Sequence, residues 1–221
     1  MLKKPFAINT LLEGSVEHQI TDKLKLINDL LVSHEVDEIT LRNINTAMQQ
    51  AADHLQNKTF EKRQRTVAQQ SLEGEGFDYG SGNSHAFRPI SGLCNVVSPR
   101  VQYFYEDDEL AAYVKFTSAY EGPPGFVHGG YVAAVMDEIF GFCQSKLDDP
   151  YMTGTLELKY LMPVPLNQQL KMTSQVERVE GRKAFLTAQM VDHNNKILIE
   201  GKAIFIKIDP KLYASFTQSN S

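Results

Sequence analysis

Cysteine is scarce: Cys94 and Cys143 are the only two in 221 residues. Two thiols cannot build a disulfide framework, and they suit small buried hydrophobes in a reducing compartment. Long apolar runs are missing too. The most apolar segment, residues 131–142, is interrupted by Asp137 and Glu138, so no window reaches the ~20 apolar residues of a membrane span. The opening stretch MLKKPFAINTLLEGS carries two lysines but no apolar core of a secretory leader, and it lacks the Arg/Ser richness of a transit peptide. The expectation is a soluble, cytoplasmic protein. Positive charge is not in excess: 22 Lys and Arg against 27 Asp and Glu leave a net charge of −5. Such a surface repels nucleic acid and anionic lipid, and any phosphate-bearing ligand needs a local basic site. The six histidines are scattered without the spacing to one another or to cysteine that a metal centre requires, so no metal is expected.

What is present is a chain of ordinary globular composition, 42% hydrophobic and 22% charged, with room for one compact domain and an appendage. Leu24, Ile27 and Leu31 recur at helical spacing behind Thr21, read as an N-cap, over residues 21–33. A clearer amphipathic helix is expected from about 37 to 55, on the stripe Leu41, Ile44, Met48, Ala51 or Ala52, and Leu55, with a continuation toward Arg65. Lys62, Arg63 and Arg65 read most simply as a solvated helix end. Residues 1–72 are thus expected to form a helical extension. Gly74, Gly76, Gly80, Gly82 and Gly92 crowd the next segment and mark 73–92 as a linker. The main domain is expected over 93–209, and 210–221 as a frayed tail.

Within that domain the stretches 94–108 and 109–121 read as strands about a turn at 106–108. A Gly/Pro loop, EGPPGFVHGG, follows. Residues 130–147 then switch to helical period and are apolar almost all round, which a helix tolerates only when buried on most sides. Four more strand-like stretches (152–163, 168–180, 183–192 and 197–209) are joined by explicit turns at Glu180-Gly181-Arg182 and at 193–196. Hairpins imply an antiparallel sheet whose apolar face needs a cover, and the single apolar helix supplies one. The fold expected is α+β: a curved antiparallel sheet wrapped around one central helix, the hotdog arrangement, with the helical extension ahead of it.

The run EGPPGFVHGGYVAAVMDEIFG followed by MTGTLELKYLMPVPL resembles the hotdog acyl-CoA thioesterases of the 4-hydroxybenzoyl-CoA thioesterase superfamily. It is similar in particular to the phenylacetate-degradation type and to animal thioesterase superfamily members four and five. The resemblance covers about 91–209 and does not securely include the extension. It implies hydrolysis of a fatty or aryl acyl-CoA to free acid and CoA, a place in lipid metabolism, and no cofactor beyond the coenzyme A of the substrate. Gly129 and Gly130 open a helix, where unpaired N–H groups and the positive end of the macrodipole suit an oxyanion; on a plainer reading the two glycines only permit a tight turn. His128 is read as capping or bracing that turn, with a place at the substrate as the alternative. Asp137, a carboxylate amid apolar neighbours, is costly unless paired or used. Its helix-face neighbours Gly130, Ala133, Ala134 and Gly141 are small and leave room beside it. Glu138, about 100° around the helix, reads as structural. Thr153 falls where the related thioesterases place a Ser or Thr beside the acid, and a strand threonine also packs well for its own sake. Some relatives carry Asn or Gln where this chain has Gly122.

Gly129 and Asp137 stand ~12 Å apart along one helix, too far to serve one thioester carbon. Two antiparallel copies related by a two-fold axis would bring them together, so a homodimer with two shared sites is expected, the step to a tetramer being left open. Arg182 and Lys183, with Arg178, Lys159 and Lys171 on the same or neighbouring strands, are candidates for the phosphates of coenzyme A or else a solvated hairpin tip. Cys143 lies on another face from Asp137 and is not expected to act as nucleophile. Two other readings stay open: a non-catalytic acyl-CoA sensor with the extension as reporter, and hydratase or dehydratase chemistry on enoyl or hydroxyacyl thioesters through His128 and Asp137.

Overall fold

A computed structural model describes residues 12–61, 85–106, 109–147 and 149–209. The expectations placed on the Lys62, Arg63, Arg65 cluster, on 73–84 and on 210–221 lie outside the described residues. Six strands, β1 (Gln102–Glu106), β2 (Glu109–Lys115), β3 (Tyr151–Tyr160), β4 (Gln169–Glu180), β5 (Lys183–Val191) and β6 (Ile197–Lys207), form one sheet in the order β1-β2-β4-β5-β6-β3. Every neighbouring pair is antiparallel. The turns follow from local chemistry. Gly181 takes a φ of +58° between β4 and β5, and Asn195 one of +60° between β5 and β6. There the Asp192 carboxylate accepts from the amides of Asn194 and Lys196 at 2.8 and 2.9 Å.

Alternation decides which face of the sheet is apolar. Leu170 and Met172 on β4, Ala184, Leu186 and Met190 on β5, and Ala203 and Phe205 on β6 are buried. They pack against the central helix α3 (Gly129–Cys143), which lies across β2, β3, β4 and β5. Val132, Val135, Met136, Ile139 and Phe140 of α3 are each at most 1% exposed. Burial of that size contributes about 1.5–3 kcal/mol per side chain. This is the hotdog arrangement expected from the sequence.

Four local expectations are corrected. The strand read over 94–108 is only β1, because turn chemistry takes over ahead of it. The Asn95 carboxamide accepts from the Val97 amide at 3.1 Å and donates to the Phe87 carbonyl at 2.9 Å, and Arg100 has a φ of +61°. Of the expected linker, residues 85–92 are not loose: Ala86 and Ser91 are buried against the domain. The first helix, α1 (Val16–Ser33), also starts earlier than read, with Ser15 as its N-cap. Thr21 lies inside it, buried, its hydroxyl donating back to the Glu17 carbonyl at 2.9 Å. The second, α2 (Glu38–Gln56), is capped by Asp37 and ends at Gln56 without continuing toward Arg65; none of its residues is buried.

Candidate active site

Three elements meet at the start and middle of α3. The helix begins where predicted because His128 caps it. The His128 Nδ1 accepts from the Gly130 N–H at 3.0 Å, and the His128 carbonyl takes the amides of Tyr131 and Val132. The Gly129 N–H meets no acceptor among the described residues, which leaves it as the open donor of the first turn, pointing from the positive end of the helix. The Gly129 carbonyl is held in turn: the Tyr160 hydroxyl, from the end of β3, donates to it at 2.8 Å. One peptide unit, between Gly129 and Gly130, is therefore clamped at both its C=O and its N–H, and the amide just before it has no acceptor among the described residues. The bracing role read for His128 is what the geometry shows. It also uses up the Gly130 amide, so Gly130 serves here by shape: a Cβ would lie 3.1 Å from the His128 Nδ1.

Asp137 sits two turns further along α3. It was read as a carboxylate buried in an apolar helix; in the single chain it is half-buried instead, on a strip that Gly130, Ala133, Ala134 and Gly141 leave uncovered. A Cβ at Gly141 would meet nothing within 4 Å. The Thr153 hydroxyl donates to Asp137 Oδ1 at 3.0 Å, and no cation pairs with this carboxylate among the described residues. A bulge makes the meeting possible. The register of β3 against β6 shifts between Thr153 and Thr155, so Thr153 faces α3 although it lies three residues from Leu156, which packs on the core. Regular alternation would put those two on opposite faces.

Glu138 points the other way and accepts from the buried Ser91 hydroxyl at 2.7 Å. Burial pushes its carboxyl above the ordinary range, partly offset by that hydroxyl and by the Arg88 guanidinium. It ties the chain ahead of β1 to the central helix, as the structural reading expected. Cys143 is buried, and burial raises its thiol as well, which removes it as a nucleophile. Gly122 is explained by contact: a Cβ there would lie 2.8 Å from the His128 Cα, so this backbone crossing admits no larger residue and no side-chain donor from that position.

The basic residues divide into two groups. Lys183 and Met152 are both paired with Ile206, which places the β4–β5 tip two strand spacings, ~10 Å, from the Thr153 end of β3. Arg182 there donates to the Lys207 carbonyl at 3.2 Å. Arg178 is engaged by Glu180 at 2.7 Å and stacks over Phe185 at 3.8 Å. Lys159 instead opposes Glu200. Lys171 opposes Tyr113 and Val191 at the far end of β4, ~30 Å from the tip. Of these five basic residues, Arg182 and Lys183 remain as candidates for a phosphate. Tyr160 was missed in sequence, since an aromatic residue at a strand end signals packing and nothing local announces its carbonyl partner 31 residues away.

Comparison with known proteins bears on the family and the fold. A thioesterase superfamily model matches residues 124–199. The acyl-coenzyme A thioesterase THEM4 of Rattus norvegicus is 31% identical over 177 residues, 76% of this chain and 67% of its own length. The same protein of Xenopus laevis is 41% identical over 91 residues, 41% of each chain. The matched stretch thus spans well under two thirds of the Xenopus relative. The crystal structure of a thioesterase superfamily protein superimposes with a TM-score of 0.77 over 93% of this chain and 98% of that one, at 23% identity, and shares its fold.

Proposed function

Since this chain belongs to the thioesterase superfamily, we propose that it hydrolyses an acyl-CoA thioester to free acid and CoA at a site shared by two protomers. The observation that carries the reading is the split of the two chemical halves along α3. An open Gly129 amide stands at one end, and an Asp137 carboxylate, oriented by Thr153 and unpaired by any cation among the described residues, stands ~12 Å away. The uncovered strip of small residues around Asp137, and β3 lying at the sheet edge with β6 as its one neighbour among the described residues and Met152 half-exposed, support a two-fold partner placed there. In such a dimer the Gly129 N–H of one chain stabilises the developing oxyanion. Asp137 of the other activates water, or attacks the carbonyl itself, breaking the C–S bond and expelling CoA thiolate as a mixed anhydride forms, which water then opens to free acid and regenerated Asp137; either way one thioester and one water give one acid and one thiol. Arg182 and Lys183 would meet the phosphates of the nucleotide end. The names of the curated relatives support acyl-CoA as the substrate class; a fatty or aryl acyl cargo, a cytoplasmic location and a place in lipid metabolism are parts of the same proposal.

The test is thiol release from acyl-CoA by Asp137→Asn. Removing the base should lower kcat by at least ~10² with the oligomeric state unchanged; turnover near that of the wild type would reject the assignment. Single turnover in ¹⁸O-water distinguishes the routes, label entering Asp137 only if the carboxylate attacks.

A further inference from the structure

The helical extension does not merely precede the domain. We infer that Lys25 and Asp29 of α1 are positioning residues for the catalytic amide, acting through residues 119–120 on the N-terminus of α3. The inference rests on the thioesterase reading for its kinetic part and on geometry alone for the rest.

Lys25 reaches across from α1 and donates to the Ser98 carbonyl, to the Val96 carbonyl at 3.4 Å and to the Tyr120 hydroxyl at 2.8 Å. One turn along α1, the Asp29 carboxylate accepts from the Ala119 amide at 3.2 Å. Asp22 secures the same contact from the other side, through an ion pair with Arg100 at 2.5 Å. Tyr120, 4% exposed, is the residue on which these ties converge. Its carbonyl accepts from the His128 amide at 2.9 Å, and its ring meets Tyr131 edge to face at 4.9 Å. His128 and Tyr131 flank Gly129 and Gly130. A side chain on α1 is thus linked, through one buried tyrosine, to both sides of the open amide.

Magnitudes favour a kinetic effect over a purely structural one. Each of these bonds contributes only about 1 kcal/mol to folding, somewhat more where one partner is charged. A displacement of ~1 Å at a reacting group can cost ~10² in rate. Burial and the neighbouring Arg100 guanidinium lower Lys25 to about 8, with Asp22 and Asp29 opposing, and Tyr120 is itself raised by burial. A cation is kept in a half-buried place, where an apolar stem would satisfy packing alone.

The experiment uses the full chain with Lys25→Met and Asp29→Ala as separate variants, read by thiol release from acyl-CoA and by amide exchange over 119–131. The brace predicts a kcat lowered ~10-fold or more with KM little changed, because the basic tip at Arg182 and Lys183 is untouched, together with faster exchange over 119–131 than in the wild type. Wild-type kcat and wild-type exchange in both variants would overturn it. A rise in KM with kcat unchanged would also overturn it, since that places α1 in ground-state binding. If one variant fails to fold, the other decides. Absence of any turnover in the wild type would defeat the thioesterase reading instead, and the exchange measurement then judges the brace by itself.

Discussion

Thr153 donates its hydroxyl to Asp137 Oδ1 at 3.0 Å from the residue at which β3 changes register. Strand irregularity and the orientation of this carboxylate are thus one arrangement: the bulge turns the hydroxyl inward, and the hydroxyl engages Oδ1.

Replacing Thr153 by Ala removes the orienting donor and leaves the charge. Turnover should fall ~10-fold, while stability moves by no more than about 1 kcal/mol because both groups can turn to solvent. Thr153→Ser keeps the hydroxyl and should recover most of the rate. Steady-state kinetics of the pair decides it: Ser as poor as Ala would mean that the methyl group matters and the hydroxyl does not.

A shared site can be tested by mixing. Gly129→Pro deletes only the open N–H, at the first helical position where proline is well tolerated, and His128 before it is already extended, with ψ of 128°. Gly129→Pro and Asp137→Asn should each be inactive alone. Unfolded and refolded together, they should regain about a quarter of wild-type activity, since half of random dimers carry one intact site of two. No recovery would place both groups on one chain's site.

Ala134→Arg puts a long cation on the uncovered strip of α3. The isolated chain should accept it, its side chain running into solvent, whereas a partner helix should not. Sedimentation should then show folded monomers without thiol release. Retention of the dimer would move the interface elsewhere.

Glu138 supplies the pH prediction. Its carboxyl is raised in the folded chain, chiefly by burial, so the folded state keeps a proton that the unfolded state has already lost. Stability therefore falls as pH rises from the ordinary carboxylate value through the folded one. Glu138→Gln can still accept from Ser91 and does not titrate. It should match the wild type near pH 4, exceed it at pH 7 in urea unfolding, and turn over substrate normally. A variant less stable at pH 7 than the wild type would mean that Arg88 and Ser91 outweigh desolvation.

Charge reversal at Arg182 and Lys183 should raise KM for acyl-CoA and leave a short pantetheine thioester unaffected. Equal effects on both substrates would make the hairpin tip a solvated turn.

The sequence made the sheet, its hairpins and the central helix legible, because apolar period and turn residues are local properties. The change from period two to all-round apolar, read at 130–147 and found as a helix over Gly129–Cys143, and the Gly181 and Asn195 turns, carry their meaning within a few positions. That Gly129 opens the helix and that Thr153 lies beside Asp137 were legible for a different reason, a motif spacing joined to a family resemblance. What stayed hidden depends on chain segments far apart. Tyr160 acts on Gly129 through a hydrogen bond that only the sheet topology creates. Lys25 acts on residues more than 70 positions away. The half-buried state of Asp137 was misjudged because helix composition counts apolar neighbours without saying which side of the helix the sheet covers. Lys171 was grouped with Arg182 for a similar reason: proximity in strand order says nothing about opposite ends of one long strand.

Because β3, a ten-residue strand at the sheet edge, is paired among the described residues only on its β6 side, one row of its backbone donors and acceptors depends on what lies alongside. If a second chain supplies that neighbour, folding and association are a single equilibrium. The unfolding midpoint should then climb with protein concentration, and dilution alone should weaken the enzyme before any denaturant is added.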